Sequence, residues 1–432
     1  MNRLTVGLVG YGNVGSGVVK FLQNRRDYFK DKFNTEFVLK TICDRSIHAK
    51  KITGLEKTRL TTNIAEILND RAIEVIVELV GGMHPAKEII IGALKNNKHV
   101  VTANKELLAN CGEELLKLTH HYKRNIYFES SVGAGIPVIK TITEGVAGNK
   151  FHSLYGIING TCNFILSEMT KNAYSFKQAL EEAQKRGFAE SNPTLDINGM
   201  DSAHKLAILV YLGLGKFIKL KDIHTEGITH ISPVDIEHAE SLNLTIKLLA
   251  IAKKDPNNEI EARVHPTLIP KDHPLATVSG IYNAIFLGTY PLGHILLSGE
   301  GAGQMSAASG IISDLLHLAS RSHSDAPSML GNLVYENPNL KIKKIDQIRT
   351  KFYLRFMAVD KPGVLSQITG ILGKHGISID SVTQKAQHTS IAPIIMLTDY
   401  APEKMVRLAL DKIHKLPIVN SRPVAIRMEK LR

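Results

Sequence analysis

Residues 7–19 read GLVGYGNVGSGVV, and this stretch decides the first fold of the chain. Gly10, Gly12 and Gly15 stand in G-x-G-x-x-G spacing. The apolar run Leu4–Val9 precedes them, and Val14, Val18, Phe21 and Leu22 follow at helical period. A strand therefore feeds a helix through a turn that only glycines make tight. Such a turn brings backbone N–H groups close to a pyrophosphate at the helix N-terminus. The reading is a dinucleotide site.

The surrounding pattern agrees. β-rich apolar runs recur at Phe37–Cys43, Ile73–Val80, His99–Thr102 and Ile126–Phe128, with helical periods between them. Near-continuous apolar strands alternating with helices predict a parallel sheet covered on both faces, an α/β fold of Rossmann type. From Phe151 to about Gly299 the expectation is an α+β region that begins with helices: Phe164–Met169, Ser175–Arg186 and Met200–Leu214. Strands are expected next, at Leu244–Ala252, Ile260–Leu268 and Asn283–Leu287. Residues 322 to 350 are polar and read as a linker. From Phe352 a β-α-β-β-α-β order predicts a ferredoxin-like module.

Bulk composition narrows the class. The 432 residues are 44% hydrophobic, enough for two or three cores. Three cysteines without close spacing suggest a reducing compartment and neither disulfides nor a zinc site. No signal peptide and no membrane span are read, so the expected location is cytoplasmic. The net charge of +12 is scattered over every segment, which is unlike a nucleic-acid surface and no bar to anionic ligands.

Ligands of an open parallel sheet bind where its strands end. After the second strand come Asp44 and Arg45. An Asp accepting from a ribose 2′-hydroxyl favours NAD, and an Arg paired with a 2′-phosphate favours NADP. The two pull in opposite directions; Lys50 and Lys51 add weight to NADP. Lys105 opens a helix after HVVT, where the helix dipole disfavours a cation. Glu129 ends a strand before the glycine-rich VGAGI, and a carboxylate with carbonyl oxygens suits a hard cation. In GMDSAHKLAI, Asp201 and Lys205 share one stripe of a helix that is otherwise apolar almost all round. An exposed i,i+4 pair contributes only about 0.3–0.5 kcal/mol, so stability alone gives little reason for it. Glu190 and Asp196 lie just upstream, and the reading is a cleft that holds an ammonium and a reacting oxygen. Cys162, in NGTCNF, reads as a small core residue at a helix start.

These segments together resemble one family. GLVGYGNVGSGVV, VELVGG, HVVTANKELLA, YFESSVGAGIPVI, GIINGTCNFIL, AQKRGFAESNPTLDINGMDSAHKLAIL and GEGAG follow one another as in bacterial homoserine dehydrogenases. VDKPGVLSQITGILGKHGISI resembles an ACT module, so the likeness spans almost the whole chain. It implies a Rossmann domain at 1–130 plus about 300–320 and a substrate-binding and dimerisation domain at 131–299. A linker at 321–350 and an ACT domain at 351–432 follow.

It also implies interconversion of L-homoserine and L-aspartate 4-semialdehyde with NADP or NAD. Gly10, Gly12, Asn13, Val14 and Gly15 would hold the cofactor, with Arg45, Lys105 and Gly303. Lys205 and Lys105 would be catalytic, and Glu190, Asp201 and Gly187 would meet the substrate. Glu129 with the backbone oxygens of Val132, Ala134 and Ile136 would bind sodium. Threonine is the implied effector, and a homodimer or homotetramer the implied assembly, without nucleic-acid or membrane partners. The chain departs from the family at Glu300 and Ser306, which stand where prolines are usual. Two other classes fit less well. A phosphorylating semialdehyde dehydrogenase needs a Cys–His pair, and a DNA-binding regulator needs a recognition helix; neither signature is present.

Overall fold

The computed structural model describes residues 1–50, 52–321, 337–384 and 390–431. It divides into two compact units. The first comprises Met1–His152, Asp201–Lys221 and Ile281–Asn339; the second comprises Ser153–Met200, Asp222–Gly280 and Leu340–Arg432.

The first unit is built on six strands: β1 (Asn2–Val9), β2 (Thr35–Cys43), β3 (Arg59–Thr61), β4 (Val75–Glu78), β5 (His99–Thr102) and β6 (Ile126–Tyr127). Their order is β3-β2-β1-β4-β5-β6 and every neighbour is parallel. Val6, Leu8, Val75, Ile76, Val77, Val100 and Val101 are buried, as strands covered on both faces require. The order reverses between β1 and β4, which opens a crevice at their carboxyl ends. The Asn13–Asn24 helix buries Val18, Val19 and Leu22. Its Gly17 lies so close to the Gln304–Arg321 helix that a Cβ would stand 2.7 Å from the Gln304 side chain and 3.4 Å from Ala308. That second helix thus packs on the nucleotide-domain helix directly.

The second unit is a mixed sheet. β7 (Lys150–Ile157), β9 (Leu244–Lys254) and β10 (Glu259–Pro270) pair antiparallel in sequence, with the short β8 (His224–Thr225) parallel to β10. The region therefore opens with a strand where helices are expected first. His152 and Ser153 interrupt the apolar run of KFHSLYGI and hide it. The first unit also carries an antiparallel pair, in which β11 (Tyr282–Tyr290) contains the strand expected at Asn283–Leu287 and β12 (Gly293–Glu300) is its unexpected partner. β12 alternates half-buried and exposed positions, so its apolar signal is weak.

The chain beyond 336 supplies β13 (Lys341–Ile342), β14 (Arg349–Val359), β15 (Ile379–Gln384), β16 (Ile391–Thr398), β17 (Ala401–Pro402) and β18 (Val424–Met428). Within this module the sheet runs β18-β14-β16-β15, backed by the Val364–Lys374 and Glu403–His414 helices. Phe352, Leu354, Phe356, Ile368, Leu372, Met396, Val406 and Ile413 form its core. The last strand starts at Val424, later than the Pro417 expected from pattern. β18 also pairs parallel with β10, so the module shares a sheet with the rest of its unit.

Candidate active site

The glycine turn is shaped by its neighbours. Gly10 has φ 96°, and a Cβ there would lie 2.6 Å from the Leu79 carbonyl oxygen. A Cβ on Gly15 would lie 2.1 Å from the Gly10 oxygen. At Gly12 a side chain would meet nothing within 4 Å, so the mouth of the turn is open. The helix behind it has no side-chain cap and no acidic residue in its first turn. Its N-terminal amides fit a pyrophosphate. Asn13 and Val14 begin that helix.

Asp44 sits beside this turn, but its carboxylate faces the protein. It accepts from the Tyr11 amide (2.8 Å), from the Ser46 amide and hydroxyl, and from Lys50 Nζ (2.8 Å). Burial alone would raise its pKa; the Lys50 ammonium and the two amides outweigh that and hold it well below the usual carboxylate range. Asp44 thus buttresses the glycine turn. Arg45 is exposed just past the strand. Lys51 lies outside the described residues.

The ends of β4 and β5 are tied by groups that pattern reading missed. Buried Glu78 accepts from Thr102 Oγ1 (2.7 Å) and the Val80 amide (2.7 Å), and burial pushes its carboxyl up. Asn104 caps the Lys105–Tyr122 helix through the Leu107 amide and donates to the Gly82 oxygen (2.7 Å). The signal was available, since Asn two residues past a strand and one before a helix is a capping pattern.

Lys105, in the first turn of that helix, reaches Asp201 Oδ1 at 2.9 Å. Lys205 reaches the other oxygen, Oδ2, at 2.7 Å. One carboxylate therefore lies between two ammonium groups. Asp201 and Lys205 are buried, with 8% and 9% of their side chains exposed, while Lys105 is 41% exposed. Burial opposes the Asp201 charge, but the charges of Lys205 and Lys105 hold its carboxyl far below the ordinary range. Leu206–Leu212 behind them are all buried, which fixes the helix that carries the pair.

The GEGAG loop follows β12. Gly301 approaches the buried Asn283 amide so closely that no Cβ would fit, and Gly303 takes φ 116°. Ser306 Oγ donates to the Glu300 carbonyl (3.0 Å) and accepts from the Gly135 amide (3.2 Å). Hydrogen bonds here restrain the loop at positions where the resemblance leads to an expectation of prolines. Gln304 donates to the Asn13 oxygen and to Ser16, closing the loop on the nucleotide turn.

Glu129 is buried at the end of β6. Its oxygens accept from the Ile139 (2.8 Å) and Lys140 (2.9 Å) amides, and its own amide donates to Asp314 (2.9 Å). Burial first, and then the Asp314 charge, push its carboxyl up to about 7. The Val132–Ile136 backbone curls beside it through left-handed Gly133 and Ala134, at φ 71° and 53°. The Asp314–Lys140 pair (3.2 Å) backs this loop and had no sequence signature. Among the described residues no group of three or more His, Cys, Asp or Glu could hold a metal, so any ion here would rest on one carboxylate and main-chain oxygens.

In the second unit, Gly187 (φ 74°) and exposed Glu190 lie in the loop after the Phe176–Lys185 helix. Asp196 Oδ1 accepts from Asn159 Nδ2 (2.6 Å), and Asn159 also caps the Gly160–Asn172 helix through the Cys162 amide. Buried Cys162 donates from Sγ to the Asp196 carbonyl, a core role.

A glycine-rich turn on a parallel sheet, with the Lys105–Asp201–Lys205 cluster in the same unit, fits one class: a nicotinamide-dependent oxidoreductase. Family models match in order along the chain: "Homoserine dehydrogenase, NAD binding domain" at 10–129, "Homoserine dehydrogenase" at 137–316 and "ACT domain" at 352–418. A homoserine dehydrogenase from Synechocystis sp. is 38% identical, covering 98% of this chain and 99% of its own. The crystal structure of a homoserine dehydrogenase from Thiobacillus denitrificans matches with TM-score 0.92 and 38% identity, over 100% of this chain and 99% of that one. A hyperthermophilic archaeal homoserine dehydrogenase in complex with NADPH matches with TM-score 0.63 and 26% identity, over 74% of this chain and 98% of that one. The chain belongs to the homoserine dehydrogenase family, NAD(P)-dependent oxidoreductases of amino-acid biosynthesis that act on a CH–OH group. Among the described residues no helix is long and apolar enough to cross a membrane.

Proposed function

We propose that the chain interconverts L-aspartate 4-semialdehyde and L-homoserine with NADP, and that Lys205 moves the proton. The observation that carries this reading is Asp201 held between Lys205 and Lys105. Bound nicotinamide supplies or accepts the hydride. In reduction, the Lys205 ammonium stabilises the oxygen charge as it forms and donates a proton to it. In oxidation, neutral Lys205 takes the hydroxyl proton. Lys105, a like charge on the same carboxylate, favours proton loss from its neighbour, and Asp201 orients both. Glu190, Asp201 and Gly187 bind the amino-acid end of the substrate, with Asp196 as a third carboxylate beside them.

Gly10, Gly12, Asn13, Val14, Gly15 and Gly303 hold the cofactor. The NADP choice is supported by Arg45, exposed beside an Asp44 already committed to Tyr11, Ser46 and Lys50. The test is the ratio of kcat/KM for NADPH over NADH, which Arg45→Ala should lower at least tenfold.

Sodium at Glu129, with the main-chain oxygens of Val132, Ala134 and Ile136, is supported by a buried carboxylate that a cation would keep ionised. Sodium in place of choline should raise the melting temperature of the wild-type chain and leave that of Glu129→Gln unchanged.

The pathway role would be threonine, methionine and isoleucine synthesis in the cytoplasm, with threonine acting through the ACT module. The left-handed Gly363 opens the Val364–Lys374 helix after DKP, a turn that suits a carboxylate. Threonine should inhibit the full chain, and Gly363→Val should relieve that inhibition. A homodimer or homotetramer is supported by exposed Tyr290, Leu292 and Leu296 at the β11–β12 pair; light scattering reads the mass.

A further inference from the structure

Arg427, on β18, is almost wholly buried and grips two carboxylates at once. Its Nε and Nη2 donate to Glu403 (2.8 and 2.6 Å), which opens the module's last helix. Its Nη1 and Nη2 donate to Glu226 (2.9 and 2.8 Å), which lies just past β8. Nine residues on, Arg355 of β14 donates to both oxygens of Asp235 (2.7 and 3.1 Å), and Tyr353 adds a third bond at 3.0 Å. Segment 226–235 is thus held at both ends by side chains of the C-terminal module. A guanidinium shared between buried Glu403 and half-buried Glu226 has a fixed planar geometry and loses little entropy on binding.

The first residues of that segment support the stretch that carries Glu190 and Asp196, which includes the short Thr194–Ile197 helix. A Cβ on Gly227 would stand 2.0 Å from the Ile197 oxygen, so the two backbones touch. The Ile228 amide donates to that same oxygen (2.9 Å). Gly199 approaches the Glu226 oxygen in turn, at 3.2 Å for a built Cβ. Asp196 precedes Ile197 and is fixed on its other side by Asn159.

We propose that Arg427 and Glu226 are positioning residues for the substrate. Through them the C-terminal module braces segment 226–235, and that segment sets the place of the 187–199 loop. The inference rests on the proposed roles of Glu190 and Asp196 in binding homoserine. It makes the module part of substrate binding even with no effector present.

The test uses the full chain and three variants. Glu226→Gln weakens the clamp while Glu403 still neutralises Arg427, which limits the loss of stability. Gly227→Ala separates the two backbones and leaves the clamp intact. Asp346→Asn breaks an exposed ion pair of the same module with Arg407 and serves as control. Steady-state kinetics and hydrogen exchange are read for each.

The first two variants should raise the homoserine KM at least tenfold, with kcat and cofactor KM within twofold of wild type. Exchange should quicken over 187–199 and stay unchanged over β1, β4 and β5. The control should match wild type in both. Unchanged homoserine KM and unchanged exchange in both folded variants would overturn the proposal, as would an equal effect of Asp346→Asn. Absence of homoserine turnover in the wild-type chain would instead overturn the proposed function, and exchange would still decide the brace.

Discussion

At the scale of single residues, the account turns on one carboxylate with two ammonium partners. Lys205→Ala should lower kcat about 10²–10⁴-fold, the usual worth of a positioned proton donor. Lys205→Arg should not restore it, because a guanidinium does not give up its proton. A separate buried lysine offers a pH test. Lys247 donates to the Val278 carbonyl (2.6 Å), and burial pulls its pKa down to about 8. The unfolded value is about 10.4, so between about pH 8 and 10.4 the unfolded chain binds more protons. Stability then rises with pH across that window. The wild-type melting temperature should climb relative to Lys247→Met from pH 8 to 10, and the variant should be the more stable at pH 7. Much of this scale was legible in sequence. Asp201 and Lys205 stand four apart on an apolar helix, and Lys105 stands where a cation is disfavoured. No local spacing links Lys105 to Asp201; the family resemblance alone pointed to Asp201 orienting both lysines, as the two ion pairs have it. The sequence leaves Asp44 and Arg45 as competing signals at the strand end, and local pattern does not show that Asp44 has the Tyr11 amide, Ser46 and the Lys50 ammonium as partners.

At the scale of elements, periodicity found the strands that are buried on both faces. β7 and β12 escaped it because polar residues interrupt the first and the second is half-exposed. The glycine turn shows what an element can depend on. Gly15→Ala would push a Cβ to 2.1 Å from the Gly10 oxygen, so the turn must open. Cofactor KM should rise at least tenfold while homoserine KM changes little. Ser306 illustrates a departure whose meaning only geometry supplies. Its hydroxyl ties the Glu300 carbonyl to the Gly135 amide, a restraint invisible in a comparison of residue types.

At the scale of the whole molecule, the order of segments announced a nucleotide domain, an α+β part and a ferredoxin-like module. Local pattern did not announce the parallel pairing of β18 with β10, or the clamps of Arg427 and Arg355. Those joints pair segments far apart in the chain, and a buried ion pair leaves no periodic trace. They set the C-terminal module in one sheet with β10, beside the 187–199 segment. The measurement that bears most directly on the account is NADP-dependent oxidation of L-homoserine by the full chain, followed as NADPH absorbance, beside Lys205→Ala. The account predicts robust turnover by the wild type and a loss of at least a hundredfold in the folded variant. No absorbance change with the wild type, or near-normal turnover by Lys205→Ala, would contradict it.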